Sequence, residues 1–166
     1  MLTPAKLALR MAEPVLPLGR HVPFSLQKMV LERAVAKIFA QPLADGQFDV
    51  LYGRWLRLEV EELELAWNLT RDGSGLRLAE TAPADVIIRG RWRDFLLMVS
   101  RQEDPDTLFF RRRLVIEGDT ELGLAVKNLI DSLDPELLPP RLWQAVRWLG
   151  AAAADPDGLM SVKATG

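Results

Sequence analysis

The sequence predicts an α+β fold: a twisted, mostly antiparallel sheet of about five strands covered by helices on one face. Three observations carry this. Apolar residues recur at helical spacing from Leu26 to Phe39, then at strict alternation from Phe48 to Arg89, then again at helical spacing to the carboxy-terminal region. Asp72-Gly73-Ser74-Gly75 interrupts the alternating part with residues that tolerate positive φ, a hairpin signal. The alternating strands present one apolar and one polar face, so the apolar face needs a cover, which the flanking helical stripes supply.

Composition narrows the classes. A chain of 166 residues is most simply one domain, able to bury roughly 70% of its unfolded surface. The absence of cysteine excludes disulfides, thiol catalysis and thiolate metal sites, and fits a reducing cytoplasm. A net charge of −2 gives no prior for nucleic-acid binding, so no nucleic acid is expected as a partner. No apolar run approaches the ~18 residues that span a bilayer. The predicted organisation is an arm at residues 1–22, a main domain at 23–153 and a flexible tail at 154–166.

Taken in order, the arm is broken by Pro4, Pro14 and Pro17, and Leu2, Leu7, Leu9 and Met11 beside Lys6, Arg10 and Arg20 make it weakly amphipathic and basic. It suits contact with a membrane surface, with a second subunit or with its own domain. Ser25 is positioned to cap a helix running to about Gln41, with Leu31, Val35, Ile38 and Phe39 on one stripe and Leu26, Val30 and Ala34 alongside. Strands follow at Arg54–Val60, at Leu63–Thr70, at Leu76–Leu78 and around Val86 and Ile88, read as an antiparallel meander. Arg91–Gln102 returns to a helix with Trp92, Phe95, Leu96 and Val99 on its stripe. Asp104-Pro105 starts a short helical turn, Leu114–Glu117 is a short strand, and Asp119 or Thr120 caps a helix with Leu122, Val126, Leu129 and Ile130 on one side. A last helix covers about Arg141–Ala153, with Leu142, Ala145, Val146 and Leu149 inward.

The stretch Asp104–Asp131 offers a large apolar face and no reactive centre, and reads as one wall of a lipid-sized cavity. Gly123 inside its helix costs up to ~1 kcal/mol relative to alanine, so the missing side chain suggests close approach of a ligand or a neighbouring strand. Arg111, Arg112 and Arg113 suit either a phosphate or lipid-headgroup clamp or a solvated face. Trp55 and Trp148 lie off the apolar stripes and suit an interface.

Catalytic chemistry is hard to find. His21 is the single histidine and reads as a surface or packing residue, and no Gly-rich phosphate loop follows a strand. Glu61-Glu62 reads as a turn and Asp104-x-Asp106 as a helix cap, neither with the positioned partner that acid–base work requires. No catalytic residue, metal or cofactor is expected.

The run FFRRRLVIEGDTELGLAVKNL resembles the carboxy-terminal signature of sterol carrier protein type 2 domains. An aromatic turn at Phe109-Phe110 is followed by a short strand at Leu114-Val115-Ile116, a Gly118-Asp119 turn and a helix from Leu122. The upstream order of elements agrees from about Phe39 to Leu133. Over the full length the layout is similar to the sterol-carrier-like accessory factors of bacterial ubiquinone biosynthesis. The Pro23-Phe24 helix start, Gly53-Arg54-Trp55-Leu56 and above all QEDPDTLFFRRRLVIEGDTELGL carry that likeness.

The resemblance implies a mixed sheet with helices over one face, enclosing an apolar tunnel. It implies a non-catalytic role in the oxygen-independent branch of ubiquinone synthesis, holding an isoprenoid quinone precursor for hydroxylase and methyltransferase partners. It also implies a homodimer and a cytoplasmic location, peripheral at the inner membrane. Ligands vary widely across such domains, so a phospholipid stays open as the cargo, as does a scaffold without a ligand. The candidate lipid-binding residues are Leu56, Leu58, Leu65, Trp67, Ile88, Phe95 and Val99, with Phe109, Phe110, Leu122, Gly123, Val126 and Ile130. Arg111, Arg112 and Arg113 are the candidate headgroup contacts.

Overall fold

The computed structural model describes residues 3–154. Leu2 of the arm and the expected tail from Asp155 onward lie outside the described residues, and Ala154 closes the last helix. Five strands form one sheet: β1 (Leu56–Val60), β2 (Leu65–Asp72), β3 (Gly75–Ala79), β4 (Val86–Gly90) and β5 (Leu114–Gly118). Their order is β3-β2-β1-β4-β5. The helices are α1 (Pro4–Ala12), α2 (Phe24–Ile38), α3 (Ala40–Ala44), α4 (Trp92–Val99), α5 (Pro105–Phe110), α6 (Thr120–Ser132) and α7 (Pro140–Ala154).

The sheet is mixed. β1 pairs antiparallel with β2 but parallel with β4, and the other pairs are antiparallel. The expected meander therefore stops at β3, because the chain then returns to the far side of β1. A junction at Asp85 fixes that return: the Trp55 N–H donates to Asp85 Oδ2 at 2.7 Å. The N–H groups of Asp85 and Val86 donate back to the Trp55 carbonyl. The Asp119 N–H donates to the Asp85 carbonyl at 2.9 Å, which joins β5 to the same point. Gly118, at φ +99°, allows this approach, since a Cβ there would stand 2.5 Å from the Asp85 oxygen.

Register separates the two faces. Leu58 lies beside Trp67 and Ile88, and Ile88 beside Ile116, so these side chains share one face with Leu56, Leu76, Leu78 and Val86. On the other face Arg57, Glu59, Arg89 and Glu117 form an ionic ladder across β1, β4 and β5, with contacts of 2.6, 2.7 and 3.0 Å. The Arg57 and Arg89 guanidinium groups hold the Glu59 carboxyl below its ordinary value near 4.5.

α6 and α2 both cover the apolar face. α6 sends Leu122, Val126 and Leu129 into a core with Leu56, Leu76, Val86 and Ile88. Asp119 is its cap, accepting from the Leu122 N–H at 2.9 Å. At its other end Arg101 donates to the carbonyls of Ile130 and Leu133. α7 packs against α1 and α4.

Four local expectations shift. Pro23 rather than Ser25 precedes α2, without a side-chain cap, and the helix breaks at Phe39 before α3. The first half of the arm is helical, because the Thr3 hydroxyl accepts from the Lys6 N–H and Pro4 occupies the first turn. In α4 the buried side chains are Asp94, Leu97 and Met98, while Val99 is exposed. An inward carboxylate paired with Arg113 turns the helix away from its apolar count. In α7 Leu142 and Ala145 are exposed and Gly150 is buried, because the helix meets the end of α4 at Ser100.

Two outcomes follow from this packing. A Cβ on Gly123 would stand 2.5 Å from Ile116 Cγ2, so Gly123→Ala should cost about 1–3 kcal/mol despite its better helix propensity. A denaturant midpoint that does not fall would show that Ile116 yields. Because the folded Glu59 pKa is depressed, the ladder stabilises above the unfolded value and is lost as pH falls through the folded one. Glu59→Gln should therefore cost ~0.5–1 kcal/mol at neutral pH. Thermal melts across pH should show that deficit shrinking below pH values near 4.5.

Candidate functional site

The two helices over the apolar face are seated differently. α6 is anchored by fully buried side chains, whereas α2 has none along its 15 residues. Its Leu31 and Val35 are half-buried toward the sheet, while Leu26 and Val30 are 47% and 53% exposed. Between α2 and β2 lies an apolar groove of about 330 Å³, lined by Gly19, Val22, Leu26, Gln27, Val30, Leu31, Leu65 and Trp67. A second groove of about 410 Å³ continues along the 3-10 turn Leu16–His21, lined by Ala12, Val15, Leu16, Leu18, Gly19 and Val22. The two share Gly19 and Val22.

One side chain ties this region together. The Trp67 indole N–H donates to Gln27 Oε1 at 2.9 Å. Gln27 Nε2 donates to the carbonyls of Val22 and Gly19 at 2.8 and 3.3 Å. Strand, helix and turn thus meet at Gln27, and the indole presents its apolar body to the groove with its one donor satisfied. A second tether lies further along α2, where Glu32 Oε1 accepts from the Leu78 N–H on β3 at 2.9 Å.

The candidate residues read from the sequence fall into separate places. Leu65 and Trp67 line the groove. Leu56, Ile88, Leu122 and Val126 are buried in the packed core, with Leu58, Phe95, Phe109 and Ile130 partly buried against it. Val99, 48% exposed, lines a pocket of about 130 Å³ with Phe39, Met98, Ile130, Leu133 and Leu138. Phe110 is 91% exposed. The space beside Gly123 is filled by Ile116, so the neighbouring strand, rather than a ligand, uses the missing side chain.

The arginine triplet divides. Arg113 is committed to Asp94 and to Glu103, the latter at 3.1 Å. Arg112, at φ +57°, lines a polar cleft of about 580 Å³ with Glu13, Glu61, Arg91, Arg93, Asp94 and Arg113. Arg111 is exposed. The cleft is laced by ion pairs, Arg93 with Glu13 and Arg113 with Asp94. The carboxylates that pairing singled out have structural work. Glu62, within the 3-10 turn Glu61–Leu63, binds Arg91 at 2.8 Å. Asp104 caps α5, and the hydroxyl and N–H of Thr107 donate to it and hold its carboxyl below the usual range. His21 is exposed, with the Arg20 Nε–H donating to it at 3.4 Å.

Sequence reading missed the α2 side of the groove: Gly19, Val22, Leu26, Gln27, Val30 and Leu31. The available signal was the apolar arc of α2, too wide for one buried stripe, with Leu26 and Val30 beside Leu31 and Val35. Gln27 carried no signal of its own.

The profile of the SCP-2 sterol transfer family matches residues 31–131. The chain is 46% identical over 120 residues to the ubiquinone biosynthesis accessory factor UbiT of Escherichia coli K12, covering 72% of this chain and 69% of that protein. The UbiT protein of Escherichia coli O157:H7 matches equally. Among solved structures, the UbiJ-SCP2 ubiquinone synthesis protein superposes with a TM-score of 0.53 at 19% identity, over 66% of this chain and 97% of that one. That last likeness concerns the fold.

If Gln27 is the tether of α2, Gln27→Met should leave the Trp67 donor and the Val22 carbonyl unpaired, the Gly19 carbonyl keeping the Val22 N–H, at about 1–3 kcal/mol. Hydrogen exchange across residues 24–38 should then quicken, with α6 unchanged. Equal exchange in the variant would remove Gln27 from that role.

Proposed function

The chain belongs to the SCP-2 sterol transfer family, and from that premise we propose that it is a non-catalytic lipid-binding accessory factor of ubiquinone biosynthesis. In this reading it serves the oxygen-independent branch and holds a polyprenyl quinone precursor while hydroxylating and methylating enzymes act on the ring. The observation that carries it is the open apolar groove between α2 and β2, flanked by a helix with no fully buried side chain. The relatives named above support the pathway.

The physical logic is differential burial. A polyprenyl tail leaving water recovers about 25 cal/mol per Å² of apolar surface, before the cost of ordering it. Leu65 and Trp67 on the sheet and Val22, Leu26, Val30 and Leu31 opposite supply the walls. The groove volume lies in the usual range for small-molecule sites, about 300–1,000 Å³. The polar cleft begins at Glu13, the chain neighbour of the groove's Ala12, so an amphiphile has a polar place for its head, with Arg112 the triplet member facing it.

Peripheral contact with a membrane surface is supported by the arm, where exposed Val15 and Leu18 line the second groove and Leu7 and Met11 are exposed on α1. Among the described residues, no helix is long and apolar enough to cross a membrane.

Lipid extraction of the purified protein followed by mass spectrometry tests the reading. A polyprenylated aromatic should be recovered, and Leu26→Glu with Val30→Glu should cut its occupancy at least ~10-fold, since each places a charge against the tail. Recovery of phospholipid alone would make the protein a carrier without quinone specificity. Repeated recovery of nothing, with no binding of added precursor, would leave the scaffold reading instead.

A further inference from the structure

The two edges of the sheet are treated differently. At β3 the edge is blocked by α2, whose Glu32 takes the outward Leu78 N–H. β5 is the other edge strand. Its hydrogen-bond parity follows from the Asp119 N–H to Asp85 carbonyl bond. In an antiparallel pair bonded positions alternate, so Glu117 and Val115 face β4, while Leu114, Ile116 and Gly118 turn their N–H and C=O groups outward. No described residue supplies a hydrogen bond to those outward groups. A groove of about 380 Å³ lined by Phe109, Arg112, Leu114, Val115 and Ile116 runs beside this edge. Val115 is 36% exposed, and the strand carries no proline and one charge, Glu117. An open apolar edge of this kind is a template for another strand.

Charge around the strand selects the occupant. Just before it stand Arg111 and Arg112, exposed and without an ionic partner among the described residues; just after it stand Asp119, exposed but paired in-chain with Arg54 at 3.3 Å, and Glu121, exposed and without an ionic partner among the described residues. Antiparallel pairing of β5 with itself sets the basic flank of one copy beside the acidic flank of the other, twice. Pairing about Ile116 alone engages all three outward residues, with Ile116 facing Ile116 and Leu114 facing Gly118. The same register sets Val115 opposite Glu117 of the second copy on the polar face.

We infer that β5 is a self-association edge, pairing antiparallel with β5 of a second copy about a two-fold axis at Ile116, so that the two sheets become continuous. The interface is isologous and closes, which suits a dimer rather than a filament. It leaves the groove under α2 open on each copy, because that groove lies against β2 on the far half of the sheet.

Sedimentation equilibrium of the full chain over a dilution series tests this with three variants. Val115→Glu places a carboxylate at an exposed position, its fold checked by a thermal melt of the variant; across the seam the new carboxylate meets Glu117 twice. Arg111→Glu sets like charges at the two flanks, and adding Glu121→Arg restores opposite ones. The wild type should be dimeric, Val115→Glu and Arg111→Glu should each weaken association about tenfold, and the double variant should recover it. A wild type that stays monomeric at ~100 µM, or a dimer indifferent to Val115→Glu and to the charge swap, would overturn the proposal. The measurement involves no lipid, so its failure leaves the lipid reading standing.

Discussion

The contact on which this architecture depends is the near-approach of α6 to the sheet at Gly123. With no side chain at that position, Ile116 fits beneath the helix, and Leu122 and Val126 reach Val86 and Ile88. Only a glycine permits this, and its propensity cost of up to ~1 kcal/mol is outweighed by full burial of two large aliphatic side chains. The tight seat unites β4 and β5, and the Asp85 junction unites them in turn with β1. The carboxy-terminal half of the sheet is thereby finished as a packed core.

That completion leaves the other half of the apolar face to α2, and the two halves differ in packing. α2 rests on half-buried aliphatics and is pinned at two polar points, Gln27 to Trp67 and Glu32 to Leu78. Polar tethers fix position without filling volume, so a groove persists between helix and strand. Close packing of that half would have required Leu26 and Val30 to be fully buried, and they stay about half exposed along the groove. The result is one half closed by buried side chains and one half left with an open apolar groove.

How much of this the sequence showed depends on whether the cause was local. The Asp72–Gly75 hairpin, the Asp104-Pro105 cap and the Gly118-Asp119 turn were legible, because each is decided within a few residues by backbone chemistry. The position of β4 was not. Trp55 and Asp85 are far apart in the chain, and nothing near Val86 says whether β1 or β3 is its neighbour. α4 was misjudged because its inward face carries Asp94, neutralised by Arg113 from a different element. The site shows the same division. Leu65 and Trp67 were legible as strand residues facing the apolar side, but alternation cannot distinguish a wall from a core, and Leu56, Ile88, Leu122 and Val126 are packed in the core. Gly123 announced a close approach without saying of what. Gln27 could be found only once Trp67 and the Leu16–His21 turn were seen beside it.

The central claim is that a lipid tail lies between α2 and β2 while the α6 half stays packed. Intermolecular nuclear Overhauser effects between a polyprenyl phenol and methyl-labelled protein address it most directly. Contacts to the methyls of Val22, Leu26, Val30, Leu31 and Leu65, with none to Leu122 or Val126, are the predicted result. Contacts to Leu122 and Val126 with the α2 methyls silent would place the guest in what is described above as solid core, and would contradict the account.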